Sequence, residues 1–132
     1  MEISTLVSIA GGVREWFKDL REGRAGHRTR HNAALLALYA AANETQIYVN
    51  RQAPQFTRRP PPARDLAREE KLSRMWREAS VLVREFDHDL AERCFDKGGY
   101  WTDPEAWSEQ EIKAARIELK RVVEEARELL WA

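Results

Sequence analysis

Four stretches of this chain place apolar residues three and four positions apart, the spacing that lines one face of a helix. Ile3, Leu6, Ala10, Val13, Phe17 and Leu20 form the first stripe, and Leu35, Leu38, Tyr39, Ala42 and Val49 the second. Leu72, Met75, Trp76, Ala79, Val83, Phe86, Leu90 and Cys94 make the third, and Ile112, Ala115, Leu119, Val122, Ala126 and Leu129 the fourth. A helix with one apolar face must bury that face against other elements, and the sequence carries no strand signal to supply a sheet. The pattern predicts an all-α protein: an antiparallel four-helix bundle filling residues 1–132 as one domain. A chain of 132 residues is long enough for one core.

The boundaries follow from local chemistry. The first helix ends by Gly23, and its internal Gly11 and Gly12 predict close approach by a neighbouring helix. The second runs from about Thr29 to Arg51, with Gln46 near the centre of its apolar face. "RQAPQFTRRPPPAR", Arg51 to Arg64, is a proline-rich connector suited to an extended conformation. The third helix then runs unbroken from Ala63–Leu66 to about Phe95, a rod on the order of 45 Å. Between the third and fourth helices lies "CFDKGGYWTDPEAWSEQEI", Cys94 to Ile112. There Gly98 or Gly99 stops one helix, and Ser108 with Glu111 forms a capping box for the next.

Charge narrows the function without naming it. Lys plus Arg and Asp plus Glu both total 22, but the halves are opposite. Met1 to Arg77 carries 14 basic and 8 acidic residues, and Glu78 to Ala132 carries 8 and 14. Such asymmetry signals either a polyanion site or pairing between the halves, within one copy or between copies. The lone Cys94 excludes an internal disulfide and a cysteine-based zinc site. The N-terminus has no basic secretory start, and the longest apolar run, Ala33 to Ala42, is about half a bilayer span. The expectation is a soluble, cytoplasmic protein with no membrane association.

Three groups of residues are candidate sites. Arg24, Arg28, Arg30, Arg58, Arg59 and Arg64 form a candidate basic patch, since arginine makes bidentate contacts to phosphate or carboxylate. Tyr100 and Trp101 are left over once the caps around them are assigned, and form either a plug over one end of the bundle or an aromatic recognition surface. Glu44, Gln46 and Asp87 fall on or beside apolar faces and predict a buried polar network between helices, with an arginine of the second helix or the hydroxyl of Tyr39 or Tyr48 as partner for Asp87. The pair Glu85 and His88 has no second copy to complete a di-iron set, and His27 with His31 has no third ligand. No metal or cofactor is therefore expected.

These observations lead to a non-enzymatic helical interaction or accessory module, self-associating or bound to a protein partner. The alternative is a nucleic-acid-binding accessory protein using the arginine clusters. A small helical nuclease or phosphohydrolase is the lesser alternative, with Glu44, Asp87, His88 or the His27 and His31 pair at its site.

Overall fold

The computed structural model describes residues 3–22, 28–52, 65–97 and 109–131; some side chains within these helices, among them those of residues 3–10 and 28–30, lie outside the description. The described residues form five helices and no strand: α1 (Ile3–Arg21), α2 (Arg28–Gln52), α3 (Leu66–Val83), α4 (His88–Lys97) and α5 (Glu109–Trp131). They pack as a helical bundle. The proline-rich connector and the aromatic connection between the third and fourth predicted helices fall outside the described residues.

Where their side chains are described, most residues of the predicted stripes form the core. Val13, Phe17 and Leu20 of α1, Leu35, Leu38, Ala42 and Val49 of α2, and Trp76, Ala79 and Val83 of α3 join one buried cluster. Leu90 and Cys94 of α4 and Leu119, Val122, Ala126 and Leu129 of α5 complete it. Packing sorts the helices into neighbours: α2 lies against α3 and α5, α1 lies against α5 and α4, and α3 lies against α4. Side-chain pairs fix direction. On α2 and α3, Thr45 meets Trp76 and Tyr48 meets Glu69. On α2 and α5, Asn50 meets Arg116, while Leu36 and Tyr39 lie beside Leu130 and Trp131. Numbers rise on one helix as they fall on the other, so α2 is antiparallel to both neighbours.

The single long third helix is corrected to two. After Val83 the chain turns through Arg84, Glu85 and Phe86, and α4 starts at His88. The amides of Phe86 and Asp87 both donate to the Val83 carbonyl, at 2.9 and 3.0 Å. Asp87 then caps the new helix, its Oδ1 accepting from the Leu90 amide at 3.0 Å. Asp89 in the first turn adds a carboxylate at the positive end of the α4 dipole. The break lets α4 fold back along α3, with Arg77 beside Phe95 and Ser80 near Ala91, so that α3 lies against α2 while α4 reaches α1. Apolar spacing continues across it through Val83, Phe86 and Leu90, so periodicity registers no interruption.

A second correction concerns Gly11. A Cβ there would meet nothing within 4 Å, and the residue is exposed, so no neighbouring helix among the described residues requires the glycine. No described helix is long and apolar enough to cross a membrane.

Candidate functional site

Among the described residues, polar and aromatic side chains gather in four places, and what surrounds each determines what it can do. The first is a seam between α2 and α3. Thr45, fully buried, donates from Oγ1 to the Ala41 carbonyl at 2.7 Å and accepts from the Trp76 indole Nε1 at 2.9 Å. One turn along, the Tyr48 hydroxyl donates to Glu69 Oε2 at 2.6 Å, and Glu69 is only 6% exposed. At the rim, Glu44 accepts from Lys71 at 3.1 Å and pairs with Arg68 at 3.7 Å. Buried polar atoms that find each other in this way hold two helices in register.

The seam does not gather the Glu44, Gln46 and Asp87 set that the sequence suggests. Glu44 sits at its edge, bound to cations. Gln46 is half-buried, and Thr45 beside it takes the buried position, because α2 turns its inward face between Leu38 and Thr45. Asp87 lies past the C-terminal end of α3, in the break before α4, and acts as a helix cap. Tyr48, expected as a candidate partner of Asp87, donates instead to Glu69.

The second gathering surrounds the α3–α4 break. Phe86 turns inward against His31, with ring centroids 3.9 Å apart, and Trp16 stands within 5.9 Å of His31 and 6.2 Å of Phe86. His31 is buried in this aromatic cluster. Outside the same break, His88 is exposed and faces Glu92 at 3.9 Å. No three His, Cys, Asp or Glu groups converge as a metal site among the described residues.

The third is an ion cluster between α1 and α5. Glu125 accepts from Arg14 Nε at 2.8 Å and from Arg21 Nη1 at 3.1 Å. Partial burial pushes the Glu125 carboxyl up, but the hydrogen bonds and charges of Arg14 and Arg21 outweigh it and hold the group below the usual carboxylate range. The hydrogen bond to Glu125 likewise raises Arg14, against some desolvation.

The fourth is the outer face of α5. Trp131 is 83% exposed and Ile117 57% exposed, and Arg121, Glu124 and Glu128 lie between them on the water side. Beside Trp131, Leu36 and Tyr39 of α2 and Leu130 and Arg127 of α5 line a shallow apolar seat. Leu36 is itself 58% exposed, so this is a continuous apolar patch across two helices. A smaller exposed set on α3 and α4, Val81, Leu82 and Phe95, is partly covered by the Arg77 guanidinium, 5.5 Å from the Phe95 ring centroid.

Of the sequence candidates, Arg24, Arg58, Arg59, Arg64, Tyr100 and Trp101 lie outside the described residues. Arg28 and Arg30 belong to the first turn of α2, with side chains outside the description. The described arginines Arg14, Arg21 and Arg68 face carboxylates. Sequence reasoning missed Trp131, Ile117 and Leu36. The signal was there for the first two, since they sit at either end of a 4-3-4-3 series with Arg121, Glu124 and Glu128.

No protein-family model, curated protein or solved structure matches this chain.

Proposed function

We propose that the protein is a helical interaction module, acting by binding rather than catalysis, in a homo-oligomer or on a protein partner. The observation that supports this reading is the patch of Trp131, Leu36, Tyr39 and Leu130. Scattered exposed apolar side chains are ordinary, but a contiguous set around an exposed tryptophan has the composition of an interface centre. Arg127, at its edge, supplies the polar rim that such centres carry.

The test is photo-crosslinking in the native host. A photoreactive phenylalanine analogue replaces Leu36 in one variant and Arg74, exposed on α3, in another. The reading predicts discrete protein adducts from position 36 and none from position 74. Equal, diffuse labelling from both positions, or no adduct from either, would refute it.

A further inference from the structure

We propose that the patch-bearing face of α5 pairs with the same face of a second copy, antiparallel, about a two-fold axis beside Glu124. This deepens the interaction reading above and rests on it. Ile117, Arg121, Glu124, Glu128 and Trp131 follow one another at spacings of 4, 3, 4 and 3. That is the heptad spacing by which one helix lays a seam along another. All five are exposed, and Arg121, Glu124, Glu128 and Trp131 line a groove on this face.

The order of residues makes the seam complementary to its own reverse. Ile117 and Trp131 stand seven positions either side of Glu124, so inverting the helix about Glu124 lays each copy's Ile117 on the other's Trp131. The same inversion brings Arg121 of one copy beside Glu128 of the other, twice over, and sets Lys120 between that Glu128 and Arg127, whose repulsion weakens the contact. A parallel pairing would instead stack Arg121 on Arg121 and Glu128 on Glu128. An isologous contact of this kind closes at two copies. Within the monomer Arg121 reaches Glu118 at 3.3 Å, a surface pair weak enough for its guanidinium to be shared. The seam runs fifteen residues from Ile117 to Trp131, roughly 21 Å, which with the Leu36 and Tyr39 seat beside Trp131 places the contact among small, reversible interfaces. Repulsion between the two Glu124 side chains at the axis acts in the same direction and limits the affinity.

Charge reversal tests the register. Sedimentation equilibrium from low to high micromolar protein should show the wild type rising from one to two copies. Arg121→Glu sets a carboxylate against the Glu128 carboxylate of the other copy, and Glu128→Arg sets arginine against arginine. Each should weaken self-association at least about tenfold. An equimolar mixture of the two single variants, and the double variant Arg121→Glu/Glu128→Arg alone, should both recover it. Circular dichroism checks that each variant is folded.

A wild type that stays monomeric, single variants that pair as well as the wild type, or a mixture that does not recover would overturn the proposal. Crosslinks from position 36 to a different protein, with no self-pairing, would sink the two-fold contact and leave the interaction reading standing. Absence of both would sink both.

Discussion

The α2–α3 seam and the outer face of α5 are built from similar side chains, a tryptophan with charged and polar neighbours at helical spacing, and they end in opposite states. In the seam, Trp76 is fully buried, its indole N–H is bound to Thr45, and a carboxylate is enclosed with a phenol. On α5, Trp131 stands in water with glutamates and an arginine along the same face. A neighbouring helix is what separates the two. Where α3 covers α2, polar atoms must be matched inside the protein; where none of the described helices covers the outer face of α5, apolar area is left over for an intermolecular contact.

The sharpest break of this comparison is a pair of alanine substitutions. Trp76→Ala should cost about 3–5 kcal/mol, because it leaves a large cavity in the core and removes the donor to Thr45. Trp131→Ala should stay within about 0.5 kcal/mol of wild-type stability in dilute protein. Urea unfolding of both variants reads the two values, and similar losses would erase the distinction.

Tyr48→Phe sharpens the seam side. It removes one hydroxyl and takes a hydrogen bond from the buried Glu69 carboxylate, with an expected loss of about 1–3 kcal/mol. Glu69→Gln in the same background should lose less than it does alone, since the two groups are coupled. Additive losses in that double-mutant cycle would mean the Tyr48–Glu69 bond carries no energy.

The smallest effect belongs to the half-exposed cluster of Arg14, Arg21 and Glu125, intermediate between the two regions. Because the folded-state pKa of Glu125 is lowered, its contribution is present above the unfolded carboxylate range and is lost as pH falls through the folded value. Solvent screening keeps that contribution to about 1 kcal/mol or less. Stability followed by urea unfolding from neutral to acid pH should therefore fall less steeply in Glu125→Gln than in wild type. Parallel curves would remove the ion cluster from the account of acid stability.

Legibility from the sequence follows the range of the interactions. Leu119, Val122, Ala126 and Leu129 of α5 were readable as an inward face because each is one helical turn from the next. The inward side of α2 was not, because alanines and leucines occur around much of the helix and shift the apparent centre toward Gln46. The break after Val83 also escaped the pattern. It contains neither glycine nor proline, and its capping residue Asp87 is recognisable as a cap only once the helix before it has stopped. The outer seam of α5 was present as spacing but was hidden behind the stronger stripe that faces the core.

By itself, the sequence determined where most helical stretches lie and which face of most of them turns inward, since both depend on neighbours one to four positions away. Tertiary structure alone decided that Thr45 meets Trp76, Tyr48 meets Glu69, and Arg14 meets Glu125, 111 residues distant. Those meetings depend on how each helix is rotated about its axis and which helices become neighbours. Both are set by the joint packing of five elements, to which no local stretch of the chain has access.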